Sequence, residues 1–190
     1  MESAKFEKIE DVTSFLTANE LPHKLYAHTE SKTMEAVMEN VKLDHSPFIK
    51  NLLYKDKKKR CYLVLAKHDT RVEKGFWPAV GQSPGNVRLA KPQLIIDRLG
   101  CEVGFVNPFA LYNDPEHKVK LLIDQTLEGE EYWAFHPMSC EAMVEITQVD
   151  FKKFLTLVGV EAVFYDLTKE VIKRPKKEGE AGGKQQKKKK

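Results

Sequence analysis

The stretch FIKNLLYKDKKKRCYLVLAKHD, residues 48–69, constrains the fold more than any other part of the chain. Two apolar runs flank a turn built from Lys57, Lys58 and Lys59, so the pair reads as a β-hairpin with a polar turn and apolar flanks. One residue breaks that economy. Lys50 stands among Phe48, Ile49, Leu52 and Leu53, although a solvated lysine would cost less beside Lys57, Lys58, Lys59 and Arg60.

Around the hairpin the pattern alternates between helix and strand periods. Phe6, Ile9, Val12, Phe15 and Leu16 recur at three- and four-residue steps and predict an opening amphipathic helix that ends at Leu21-Pro22. HKLYAH reads as a strand, and Thr33 as the N-cap of a short helix bearing Met34, Val37, Met38 and Val41. The Gly- and Pro-rich segment EKGFWPAVGQSPGNV reads as loop, and KPQLIIDRLG as a helix with proline inside its start and Gly100 past its end. Four short extended runs follow, GFVNPFALYND, VKLLIDQTL, EYWAFHP and AMVEIT, at the spacing of an antiparallel sheet. Phe151, Phe154, Leu155 and Val158 predict a helix that stops at Gly159, and EAVFYDL a last strand. The sum is an α/β domain: a curved, mainly antiparallel mixed sheet, large enough to be barrel-like, flanked by helices.

Charge divides the chain in two. The net charge is +3, but from Leu167 onward ten Lys or Arg stand against three Glu, which leaves 21 positive and 25 negative charges, or −4, on the preceding residues. The expected division is a folded domain over 1–168 and a Lys-rich tail or linker over 169–190 too poor in apolar residues to fold alone. Such a tail serves equally as an electrostatic hook for RNA or as a solubilising linker. The three cysteines, Cys61, Cys101 and Cys140, are widely spaced without a CxxC pair, and the six histidines show no metal-ligand spacing. Neither a disulfide framework nor a metal site is expected, no cofactor is implied, and a reducing, cytoplasmic setting fits. CYLVLA, the most apolar run, is too short to span a bilayer, and no secretory leader is visible, so no membrane partner is expected.

Few residues offer chemistry. Lys50 is either a snorkelling surface residue or an ammonium aimed into a cleft, where it would suit a phosphate or an ester oxygen. GFVNP, residues 104–108, is either an ordinary loop or a rigid one presenting backbone N–H groups to a carbonyl. His136, between a core aromatic and Pro137, fits a structural role more readily than a catalytic one, and Cys140 lacks a neighbouring acid for nucleophilic work.

Taken in order, KNLLYKD, VRLAKP, GFVNPFALYND, FHP and DFKKFLTLVG with VFYDL resemble the YbaK-like, prolyl-tRNA-synthetase-associated editing domain family over residues 20–168. Within it they are most similar to the freestanding branch that deacylates alanine mischarged on proline tRNA. The resemblance implies that Lys50 engages the terminal adenosine of the tRNA, with Asn51 beside it. It implies that Gly104 and Pro108 bound a loop whose backbone positions the aminoacyl ester, and that His136 lines the pocket for the amino-acid side chain. Met34, Val37, Asn107, Cys140 and Glu141 are the further substrate-binding positions it suggests. The implied partners are the acceptor end of tRNA(Pro) and a prolyl-tRNA synthetase or multi-synthetase complex.

The implied activity is hydrolysis of an aminoacyl ester by water, with backbone donors holding the oxyanion and a ribose hydroxyl of the tRNA helping to activate the water. Relatives continue after Phe-His-Pro with Asn-Thr-Ala-Thr, whereas this chain has Cys140, Glu141, Ala142 and Met143. If those side chains line the pocket, the accepted amino acid changes, and Glu141 could meet the α-ammonium. The rival expectation is a non-catalytic tRNA-binding accessory domain of a synthetase or synthetase complex.

Overall fold

A computed structural model describes residues 5–170, so most of the lysine-rich tail, from residue 171 on, lies outside the described residues. The strands separate into two sheets. In the first, β1 (His23–Ala27) and β6 (Tyr132–Phe135) flank β7 (Ala142–Thr147), all antiparallel. In the second the order is β4 (Arg88–Leu89), β2 (Ile49–Lys55), β3 (Cys61–Lys67), β5 (Val119–Asp124) and β8 (Phe164–Tyr165). Among the described residues there are four α-helices: α1 (Ile9–Ala18), α2 (Met34–Asn40), α3 (Pro92–Leu99) and α4 (Gln148–Leu157). The mixed α/β reading of the sequence holds, and pairing is mainly antiparallel, but the two sheets do not close into a barrel.

The hairpin forms as its sequence demands, with β2 antiparallel to β3 from Ile49↔Lys67 to Lys55↔Cys61. β3 explains why CYLVLA does not alternate. Cys61, Leu63 and Leu65 enter the main core, while Tyr62, Val64 and Ala66 enter a second core with Phe76 and Trp77. A strand buried on both faces reads as a continuous apolar run. β5 departs from the expected antiparallel spacing, because it pairs parallel with both β3 and β8. The long excursion through β4 and α3 provides the crossover that a parallel pair requires.

The run GFVNPFALYND is also not extended. Pro108–Asn113 is a 3-10 segment with proline at its start, and the Asn107 side chain caps it by accepting from the Ala110 amide at 3.1 Å. Phe109, Ala110 and Leu111 are all buried, so the run carries no helical stripe to betray it. Among the described residues no helix is long and apolar enough to cross a membrane.

Glu145 on β7 fixes the approach to β2. Its buried carboxylate accepts from the amides of Ser46 (2.8 Å) and His45 (3.1 Å) and from the Tyr26 hydroxyl (3.0 Å). Burial pushes the carboxyl up, but those donors outweigh it and hold it below its ordinary value of 4.5. A carboxyl depressed in the fold stabilises above its unfolded pKa and loses that contribution as pH falls through the folded one. Glu145→Gln is expected to cost about 1–3 kcal/mol in urea unfolding at neutral pH and to flatten the loss of stability on acidification below that range. An acid limb as steep in the variant as in the wild type would place the titration on another group.

Candidate functional site

A cavity of about 320 Å³ opens where α2, the start of β2 and the loop before the 3-10 segment meet. It brings together Lys50, Asn51, Gly104, His136, Met34 and Val37, six positions that the sequence singles out from four separate regions. Pairing explains why β2 is available here. β4 covers Tyr54 and Lys55, and the Ala90 amide bonds the Leu53 carbonyl, so the strand edge over residues 49–52 is left to form a wall.

Lys50 sits opposite Ala66, on the strand face that also carries Leu52 and Tyr54. Its Nζ donates to the carbonyl of His68 at 3.0 Å and to that of Thr70. An ammonium has three N–H donors, so one remains for a ligand. Partial burial pulls the ammonium below the usual lysine range, and the charges of Asp69 and Asp124 oppose that shift. Asn51, next along the strand, keeps a buried side-chain oxygen with no donor on it. Such an acceptor is costly to bury unless a partner arrives.

His136 is buried, and its Nδ1 donates to the carbonyl of Ala142 at 2.8 Å. Burial pulls its pKa below the ordinary value, with the Ala142 carbonyl opposing and His28 reinforcing. The neutral ring therefore carries its proton on Nδ1 and a lone pair on Nε2. Histidine here is an acceptor rather than a cation.

Gly104 has φ of 109°, and a Cβ placed on it would lie 3.2 Å from the carbonyl oxygen of Lys32. Glycine is required by both conformation and space. Gly104 and Val106 line the cavity, and among the described residues their amides meet no acceptor. Two free N–H groups on a rigid loop can polarise a carbonyl. Rigidity comes from behind: Asn107 is fully buried, donates to the Phe105 carbonyl at 2.9 Å and caps the segment that begins with buried Pro108. Asn107 and Pro108 thus support the loop without lining the cavity.

Cys140 and Glu141 also stay outside it. Cys140 directs Sγ to Glu30 at 3.6 Å, Glu141 is exposed, and their carbonyls accept from the amides of Ser31 and His28. Burial, with Glu30 beside it, pushes the Cys140 thiol up, away from nucleophile chemistry. Met143 enters instead, packed with Val37 and Ala134, and with Phe48, Leu53 and Val106 it makes the apolar wall. Lys32 and Thr33 line the mouth. Strand alternation is the signal that could have found Met143: Val144 and Ile146 enter the main core, which sends Met143 to the opposite face, toward Val37 and Ala134.

Asp44, His45 and Glu145 place possible ligand atoms within 4.8 Å of one another. Glu145 there already accepts from two amides and a hydroxyl, and Asp44 pairs with Lys24, so the cluster is an anchor for the chain.

The aminoacyl-tRNA editing domain family matches residues 28–154. The prolyl-tRNA synthetase associated domain-containing protein 1 of Danio rerio is 33% identical over 147 residues, covering 76% of this chain and 79% of its own. The prolyl-tRNA editing protein ProX of Acetoanaerobium sticklandii is 29% identical over 140 residues, covering 72% and 84%. A crystal structure described as a candidate trans-editing enzyme for prolyl tRNA synthetase superposes with a TM-score of 0.61 at 19% identity, over 86% of this chain and 98% of that one. At that identity the superposition speaks for the fold alone.

Proposed function

The chain belongs to the aminoacyl-tRNA editing domain family, and on that premise we propose that it is a trans-editing hydrolase that clears alanine from mischarged Ala-tRNA(Pro). One observation carries the proposal: a single cavity holds a lysine, an unpartnered asparagine oxygen, a neutral histidine, two free amides and an apolar wall. Each has work on an aminoacyl ester at the 3′ end of an RNA. Lys50 offers its third donor to the ribose or phosphate of the terminal nucleotide. The amides of Gly104 and Val106 face the ester carbonyl and take the charge of the tetrahedral oxyanion when water attacks. Asn51 Oδ1 and the His136 lone pair accept from the α-ammonium, the ribose hydroxyl or the attacking water. The apolar wall of Met34, Val37 and Met143 receives the side chain.

Electrophile and water are thus positioned by the protein, while proton movement falls to substrate groups, since among the described residues no carboxylate lines the cavity. Size supplies selectivity. A synthetase discriminates against one missing methylene by only ~1–3 kcal/mol, and a second pocket that admits alanine and excludes the proline ring adds the rest. The relative named for prolyl-tRNA editing supports tRNA(Pro) as the carrier. The acceptor end of tRNA(Pro) is the partner, the prolyl-tRNA synthetase is the enzyme whose errors are cleared, and the cytoplasm is the place of work.

Deacylation of Ala-tRNA(Pro) and Pro-tRNA(Pro) by the purified full chain is the test. Alanyl ester is expected to be hydrolysed at least tenfold faster than prolyl ester. Equal rates would remove the substrate assignment, and binding without hydrolysis of either would leave a tRNA-binding accessory domain in its place.

A further inference from the structure

Asp124, at the end of β5, is fully buried, and no cation lies within ion-pair distance of it among the described residues. Its Oδ2 accepts from the hydroxyls of Thr126 at 2.6 Å and Thr70 at 3.2 Å, while its Oδ1 is buried with no donor at all. A buried carboxylate so poorly satisfied is expensive, and a neighbour that uses its charge would offset that cost. Thr70 supplies the connection. Its hydroxyl donates to Asp124, and its carbonyl accepts from the Lys50 ammonium.

We propose that Asp124 is the positioning residue of the cavity, holding the Thr70 carbonyl, and through it the Lys50 ammonium, in place and supplying the counter-charge that keeps Lys50 protonated. The ammonium would otherwise be held by two loop carbonyls, on a loop with exposed residues at 68 and 69. Tying Thr70 to the end of a central strand makes that loop a fixed cradle. Distance matters as much as sign. A carboxylate in direct contact would take the third N–H and offset the field that a ligand feels, whereas one set behind Thr70 sustains the charge and leaves that N–H free. The other charged groups around the ammonium are Asp69, which favours the protonated form as Asp124 does but sits exposed on the same loop, where solvent and salt screen it, and Lys32, which lines the same cavity and repels it; His136 there is neutral.

The role of Lys50 in deacylation rests on the proposed function; the state of its ammonium does not. The experiment therefore has two readouts on the full chain. The first needs no RNA: the Lys50 side chain is titrated by NMR with ¹³C-labelled lysine, its signal assigned by its loss in Lys50→Arg. In Asp124→Asn, and to a lesser extent in Thr70→Val, Lys50 is expected to lose its proton at lower pH than in the wild type. An unchanged midpoint in a folded Asp124→Asn protein overturns the proposal; if that variant does not fold, an unchanged midpoint in Thr70→Val overturns it. The second readout is deacylation after subtraction of spontaneous ester hydrolysis. Asp124→Asn should lose roughly five- to tenfold in kcat/KM at alkaline pH and less at neutral pH. A purely structural Asp124 would lower the melting temperature and leave both pH dependences where they are. No hydrolysis by the wild type would remove the deacylase assignment and leave the titration to decide.

Discussion

Lys50→Ala is expected to lower deacylation of Ala-tRNA(Pro) by roughly a hundredfold while the melting temperature stays within a few degrees of wild type. The two halves have separate causes. In the fold the ammonium holds only the carbonyls of His68 and Thr70, on a loop that water can reach, so its removal exposes acceptors rather than orphaning them. Toward a ligand it is a cation in a partly desolvated cavity with an apolar wall, where a charged contact is stronger than at an open surface. Lys50→Arg keeps the charge, but a planar guanidinium cannot reproduce one donor pointing away from two carbonyls, so recovery should be partial. Wild-type rates in Lys50→Ala, with a normal melting curve, would reduce Lys50 to a surface lysine with a packed stem.

The hairpin was legible because its charges collect in the turn and leave the flanks apolar, and Lys50 was legible as the one charge outside that turn. The partition into two sheets was not. Which strand β5 pairs with is decided by a crossover that brings Leu121 beside Leu63, and no local pattern encodes a parallel register. The 104–114 run departs from its extended pattern for a related reason. Its centre, Pro108–Leu111, is apolar and buried without a polar face, and Asn107-Pro108, its true helix-start signal, reads equally as the end of a loop. In the site the altered stretch after Phe-His-Pro drew attention to Cys140 and Glu141, yet their backbone, bonded to residues 28 and 31, carries their contribution. Met143 reaches the cavity because strand parity takes over after the turn. Asp124 was invisible for want of a motif. Its meaning lies in a hydroxyl contributed by Thr70, 54 residues away in sequence, and only the fold supplies that neighbour.

Gly104→Ala is expected to lower kcat by roughly thirtyfold, with a smaller change in KM, at a stability cost of about 1–2 kcal/mol. The residue is held at φ of 109°, where an L side chain is strained whatever the space around it. Space is lacking as well. The added Cβ would meet the Lys32 carbonyl oxygen and Cβ, both at 3.2 Å, and Lys32 leads directly into Thr33, the cap of α2. The helix is anchored by Val37 against Ala134 and Met143, so the strain falls on the loop instead. Moving the loop re-aims the amides of Gly104 and Val106, which bear on the transition state more than on the bound ester, and that difference sends the loss into kcat. Gly129→Ala is the matched control, since a Cβ there meets nothing within 4 Å, and it should leave both constants unchanged. If Gly104→Ala kept a wild-type kcat, the loop amides could not be the donors that stabilise the oxyanion, and the ester carbonyl would have to be polarised from the Lys50 side of the cavity.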